Sequence, residues 1–147
     1  MTGIPAARLA PITAAVFSRQ LCFSTCTGVP EQLDSTVSLN LFRVAQEALH
    51  NVARHSHARN VKVKLRGNNS EIRLSVHDDG KGFDVDTALA GEGLGLISMT
   101  ERLRLVGGNF SIRSDPSFGT RVVARVSLGS KSFSESAPDR RSRDTAA

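Results

Sequence analysis

Val61-Lys62-Val63-Lys64-Leu65-Arg66, then Gly67-Asn68-Asn69-Ser70, then Glu71-Ile72-Arg73-Leu74-Ser75-Val76-His77-Asp78-Asp79-Gly80-Lys81-Gly82: this stretch decides the fold. Val61, Val63 and Leu65 alternate with Lys62, Lys64 and Arg66, the period of a half-buried strand whose outer face is basic. Gly67 to Ser70 supplies turn residues. Ile72, Leu74 and Val76 then alternate with Arg73 and Ser75, so the stretch reads as an antiparallel hairpin. Its return strand ends directly at Asp78, where a Gly- and Asp-rich loop begins and spans residues 78 to 93.

Upstream, Leu41, Ala45, Ala48 and Val52 repeat at helical spacing, and Phe42 and Leu49 widen the apolar face. The helix is expected from Leu39, with Ser38 or Asn40 capping its free amides, to about His55-Ser56-His57. Glu47, Asn51 and His55 are four residues apart and form one line on the side away from Leu41, Ala45 and Val52. On a helix alone such a line is most simply a solvated polar face. Its chemistry allows a sharper use. A hard cation such as Mg²⁺ takes a few protein oxygens and keeps water and phosphate as its other ligands. The Asn51 amide oxygen suits that, Glu47 can hold a metal-bound water, and neighbouring Arg54 can neutralise a phosphate.

Downstream, Gly91, Gly93 and Gly95 run into a second helix expected over Leu94 to Val106 and stopped by Gly107-Gly108. Free amides at a helix start bind phosphate, and glycine permits close approach. The acids between Asp84 and Glu92 would repel phosphate, so that part of the loop is expected to face solvent. Neither Gly-x-x-x-x-Gly-Lys-Ser/Thr nor Gly-x-Gly-x-x-Gly occurs, which excludes a P-loop and disfavours a dinucleotide fold. The alternating acids of a calcium loop are missing around Gly80 and Gly82. Asp78 is different. An ionised carboxylate only accepts hydrogen bonds, so it suits the exocyclic amine of adenine and not the carbonyl of guanine. Gly80 and Gly82 are expected to leave room for a flat ligand. Phe110 and Ile112 begin a third strand, Asp115 to Gly119 make a turn, and Val122 to Leu128 form a fourth strand. The order implies an α+β fold, a two-layer sandwich with helices on one face of a mostly antiparallel mixed sheet.

The chain has 147 residues, of which 39% are hydrophobic, enough for one core; with 7 Phe and no Trp or Tyr that core must be mostly aliphatic. Residues 35–128 form the expected domain. Residues 1–34 are poorly patterned, with a short helix and strand within Ile12 to Phe23 and a turn at Gly28-Val29-Pro30. Residues 129–147 are a Ser- and Arg-rich tail expected to lack fixed structure. The formal charge is +5, and residues 35–129 hold 13 Lys or Arg against 9 Asp or Glu. No basic run has interleaved aromatics, so nucleic acid is not the expected partner. A solvated surface, an anionic ligand or an acidic partner surface remain as uses for this charge. Cys22 and Cys26 make an incomplete zinc site and are read as reduced thiols. No stretch is long and apolar enough for a membrane span, and no signal peptide is evident, so the chain is expected to be cytoplasmic and free of membrane contact.

The two glycine-rich loops and the polar helix line, in this order, resemble the ATP site that unites gyrase, the heat-shock chaperone, the mismatch-repair ATPase and sensor histidine kinases. Leu41 to Leu49 before Asn51, Gly95 to Arg102, Gly108 to Ile112 and Gly119-Thr120 are similar to the ATP-binding catalytic domain of bacterial sensor histidine kinases, in the subgroup that pairs with LuxR-type response regulators. The resemblance covers residues 36 to 128 and implies a Bergerat-type fold with ATP and Mg²⁺ as cofactors. It implies Asn51 as magnesium ligand, Glu47 as the catalytic residue beside the metal, and Arg54 as a phosphate contact. It further implies Asp78 as adenine reader, Gly80 and Gly82 as pocket formers, Gly93, Leu94, Gly95 and Leu96 as phosphate lid, and Thr120 near adenine. The expected partners are a dimerisation segment carrying the phosphoacceptor histidine, in cis or trans, and a response regulator. Thr100 stands where the subgroup usually has Arg. No His precedes His50, so the chain reads as a catalytic domain alone: a fragment, a truncated product or a stand-alone module. An anti-sigma-factor-type serine/threonine kinase and a non-catalytic nucleotide-binding remnant are the competing functions.

Overall fold

The structure is a computed structural model that describes residues 21–91 and 93–129. The hairpin forms as its alternation requires. Strands β2 (Asn60–Gly67) and β3 (Glu71–Asp78) pair antiparallel, with Val63 opposite Val76 and Leu65 opposite Leu74. Asn68 Oδ1 accepts from the amides of Ser70 and Glu71 at 2.8 and 2.9 Å, which fixes the turn. β3 also pairs antiparallel with β5 (Gly119–Ser127), and β5 with β4 (Asn109–Asp115).

The upstream edge strand β1 (Leu21–Thr27) lies parallel to β2, which gives the order β1-β2-β3-β5-β4. A parallel pair needs a crossover, and the long helix between the two strands supplies it. The strand expected within Ile12 to Phe23 is thus shifted to Leu21–Thr27, and the sheet begins upstream of the expected boundary at residue 35. The short helix expected before it and most of the unstructured tail, with Glu92, lie outside the described residues.

That crossover helix, α1 (Ser35–Asn51), starts a turn before the expected Leu39. Its cap is Asp34, whose Oδ1 accepts from the amides of Thr36 (2.8 Å) and Val37 (3.2 Å), an arrangement typically worth about 1 kcal/mol. Ser38 and Asn40 are instead buried within the helix, and Asn40 donates to the Thr36 carbonyl. Periodicity marks the apolar stripe, and the first turn of α1 is polar, so its start is invisible to that signal. α1 runs on into a π-helical turn, Val52–Ser56, closed by His57 at φ 52°. The loop after Asp78 is not continuous: it holds a short helix, α2 (Val85–Ala90), capped by Asp84 through the Thr87 amide. Helix α3 (Leu94–Arg104) ends where the Gly108 amide donates to the Leu103 carbonyl and Gly107 turns at φ 65°.

α1 and α3 pack side by side on one face of the sheet. The core between the layers joins Val44, Ala48, Leu49, Leu96, Met99 and Leu103 to Val61, Ile72, Leu74, Val76, Ala124 and Val126. No aromatic residue is fully buried there; Phe83 and Phe110 pack at its margin. Among the described residues, no helix is long and apolar enough to cross a membrane.

Candidate functional site

At the end of the helical layer a cavity of about 540 Å³ opens between the π-helical turn, the ends of β3 and β5, α2 and the start of α3. That size lies within the usual range for ligand pockets. Its walls are mostly apolar: Val52 and Ala48 on one side, Val76, Val122 and Ile112 from the sheet, and Leu96, Ala88 and Phe83 from the loop side. Asn51, His55, Ser56, Asp78, Lys81, Thr87 and Thr120 are the polar side chains on it.

Asp78 ends β3 on the core-facing side and is 2% exposed. Burial pushes its carboxyl above the ordinary carboxylate value, against the Gly80 amide (2.8 Å) that stabilises its charge. A donor arriving in the cavity would offset that desolvation. Thr120 sits directly opposite Asp78 in the β3–β5 register, and Gly119, at φ 83°, lets β5 approach so closely that a side chain would strike the Asp78 carbonyl. Thr120 Oγ1 lies 2.7 Å from Ser114 Oγ, which also accepts from the Phe83 amide at 2.9 Å. One serine therefore ties the floor of the pocket to the root of the loop that covers it.

The neighbouring Asp79 has another task. Its Oδ1 accepts from the amides of Arg59 (2.8 Å) and Asn60 (2.9 Å), and its Oδ2 from the Asn60 side chain (2.8 Å). Those hydrogen bonds lower its pKa and clamp the loop to the start of β2. Ser56 fastens the same loop from the helix side: its carbonyl accepts from the Lys81 amide at 2.9 Å, and its hydroxyl donates to the Val52 carbonyl at 2.8 Å.

The opposite end of the cavity is formed where α1 meets α3. A Cβ added to Gly95 would lie 2.6 Å from Glu47 Oε1 and 3.6 Å from Asn51 Nδ2, so these three residues adjoin one another. Gly93 caps α3 and packs against the Ala88 carbonyl, which leaves first-turn amides of α3 beside the cavity. Among the described residues no cluster of three or more His, Cys, Asp or Glu side chains surrounds a common point. A hard cation here would find one amide oxygen and one carboxylate, and would draw its other ligands from water and a phosphate chain.

Asn51, Asp78, Gly82, Gly93, Gly95, Leu96 and Thr120 thus come together on one cavity, with Glu47 behind Gly95. Arg54 and Leu94 do not line it: Arg54 is exposed on the π-helical turn, and Leu94 is 74% exposed. Gly80 and Gly82 answer to protein backbone more than to a ligand. A side chain at Gly80 would run into Ser56, and one at Gly82 (φ 62°) into Asp115. Lys81 and Thr87 were missed by sequence reasoning, and His55, placed on the polar line of the helix, was given no role there. His55 continues the line of Asn51 onto the cavity, while the π-helical turn, which regular spacing does not announce, brings Ser56 in beside it. Thr100, in place of the subgroup's Arg, folds its hydroxyl back onto the Leu96 carbonyl at 2.9 Å.

Comparison with known proteins gives a consistent picture. Residues 36–130 match the family described as histidine kinase-, DNA gyrase B- and HSP90-like ATPase. The chain is 34% identical over 101 residues to the signal transduction histidine-protein kinase/phosphatase DegS of Brevibacillus brevis, covering 69% of this chain and 26% of that protein. It is 45% identical over 89 residues to the sensor histidine kinase LiaS of Bacillus subtilis, covering 60% of this chain and 24% of that protein. The chain spans about a quarter of the length of these curated relatives. In fold it is similar to the ATP-binding domain of PrrB from Mycobacterium tuberculosis, with a TM-score of 0.65 at 21% identity over 84% of this chain and 90% of that one.

Proposed function

Because the chain belongs to the histidine kinase-, DNA gyrase B- and HSP90-like ATPase family, we propose that it binds Mg-ATP as the catalytic domain of a two-component sensor histidine kinase. In this reading it donates the γ-phosphate to a histidine on a separate dimerisation segment, in cis or trans. The observation that carries it is one cavity with a buried, amine-seeking carboxylate, Asp78, at one end and Asn51, Glu47 and the amides that follow Gly93 at the other.

The residues present fit the nucleotide and its metal. Asp78 accepts from the exocyclic amine of adenine, with Thr120 beside it, while Val52, Val76 and Val122 hold the ring out of water. Asn51 would offer an amide oxygen to Mg²⁺, and the adjoining Glu47 carboxylate would hold a water of that ion. Bound magnesium supplies neutralisation of phosphate charge. The start of α3 orients the phosphate chain through its free amides, and His55 and Lys81 add donors at the cavity wall. The rest is positioning, because phosphoryl transfer demands little covalent chemistry from the protein. The phosphoryl group then passes to a response regulator of the LuxR type, and the site operates in the cytoplasm.

Two measurements test this. Calorimetry with Mg-ATP and Mg-GTP should show preference for ATP; equal affinities would remove the adenine assignment. Labelled ATP supplied with the chain and a separate dimerisation segment should label that segment's histidine. Binding without transfer would leave the chain as a nucleotide-binding module.

A further inference from the structure

The sheet face away from the helices is the other large surface of the molecule, and its side chains fall into rows across the strands. Lys62, His77, Arg121 and Arg113 stand in register, as do Arg66, Arg73 and Arg125, with Lys64, Ser75, Val123 and Ser111 between them. This face therefore holds seven of the 13 Lys and Arg of residues 35–129. Only two of the 9 acids share it, Glu71 and Asp115, at opposite ends of the rows. The positive surplus of the domain is confined here, and the remainder carries one more acid than base.

Arg66 opposite Arg73, Arg73 opposite Arg125 and Arg113 opposite Arg121 are like-charge cross-strand pairs, which cost stability. Among the described residues the one ion pair is Arg104–Glu101, on α3, so nothing there neutralises the rows. Val123 is only 7% exposed although no described element covers this face, so the long stems around it lie over it and carry their charged heads outward.

We propose that this face docks an acidic protein surface, with partner carboxylates set against the arginine rows. Five of the seven cations are arginines, whose planar forks match carboxylates. The exposed large hydrophobic residues Leu39, Leu89, Leu94, Ile97 and Leu105 all lie on the helical side, so among the described side chains none gives this face an apolar anchor for a bilayer. Phe118, at its margin, is engaged by His77 (ring centroids 4.6 Å apart) and Arg113 (5.0 Å), and offers no free platform for a base. Strand spacing gives a flat footprint of roughly 500 Å², below the standard interface, so the contact is transient and salt-sensitive. It lies across the sheet from the cavity and leaves the cavity open.

The test is a titration of the isotope-labelled chain with a polyglutamate peptide, followed by amide NMR shifts. Shifts should concentrate at Lys64, Arg73, Ser75, Val123 and Arg125 and vanish at high salt. The double variant R73E/R125E should weaken binding about tenfold, and R102E/R104E on α3 should leave it unchanged. If the charge reversal fails to fold, R73Q/R125Q provides the same comparison. Equal loss in the α3 variant, or shifts spread over the helical side, overturns the proposal. So does tighter binding to phosphatidylserine vesicles or to a single-stranded oligonucleotide than to polyglutamate. No step requires nucleotide, so failure here is separate from failure of the proposed kinase function.

Discussion

Asp78 and Asn51 sit at opposite ends of one cavity, and each makes its own demand on a ligand. Asp78→Asn keeps the shape of the side chain but places a donor among the possible contacts. It should weaken ATP binding by about 1.5–3 kcal/mol, the range for a hydrogen bond to a charged group, as read by calorimetry. The same carboxylate gives a pH signature. Burial holds its pKa above the ordinary 3.8, so as pH falls it becomes protonated earlier than an exposed Asp and ceases to be a pure acceptor. ATP affinity in the wild-type chain should therefore carry an acid limb beginning above 3.8, and that limb should be missing from the Asp78→Asn titration. Asn51→Ala should act at the other end. Affinity for ADP should change little without magnesium, and the gain that magnesium gives to a non-hydrolysable ATP analogue should be largely lost. An unchanged magnesium dependence would return the Glu47–Asn51 line to a solvated polar face.

The elements differ in how firmly they are held. β2 and β3 are paired along their length and buried on one face, whereas α2 is six residues long and has no fully buried residue. Its ties to the body are few, and its last turn leads through Gly91 and Gly93 into α3. A segment with this little burial is drawn from the low-stability end of the structure. Hydrogen exchange from Val85 to Leu94 should be fast in the free chain and slow markedly with Mg-ATP, while amides near Val63 and Leu74 change far less. Full protection in the free chain would make this segment a fixed turn and remove the lid role that the resemblance implies for Gly93 to Leu96. The Asp79 clamp and Ser56 set the opposite limit, because their hydrogen bonds fasten the start of β2, the π-helical turn and the root of the loop to one another.

At the scale of the whole molecule the buried and exposed acids pull stability in opposite directions with pH. Asp78 has a raised pKa: the fold binds that proton more tightly than the unfolded chain, so stability rises as pH falls through that pKa and levels off below 3.8. Asp79, Asp84 and Asp115 have lowered values, set chiefly by hydrogen bonds from Asn60, Thr87 and Ser117 respectively. Their stabilisation is complete above 3.8 and is lost as pH falls through their depressed values. Urea midpoints should thus pass through a shallow maximum near 3.8 before acid unfolding, and Asp78→Asn should flatten the rise while leaving the acid collapse.

Sequence by itself determined the sheet hairpin, the two main helices, the aliphatic core and the place of Asp78 at a strand end. Each follows from a local period or a side-chain chemistry that neighbours in the chain express. Asn51, Gly93 and Gly95, which line the cavity, were legible from their types and order, and Thr120 only through the family resemblance. Tertiary structure alone decided the rest. The parallel pairing of β1 depends on a crossover that no local pattern encodes. His55 lines the cavity from the π-helical turn, and Arg54 on the same turn is left outside it. Gly80, Gly82 and Gly119 are required by backbone from distant segments, Ser56, Asp115 and Asp78, and spacing along the chain does not reveal such contacts. The basic rows of the open face were visible as alternation in single strands. Only the register between β2, β3, β5 and β4 assembled them into one surface, because charge density depends on neighbours across the sheet.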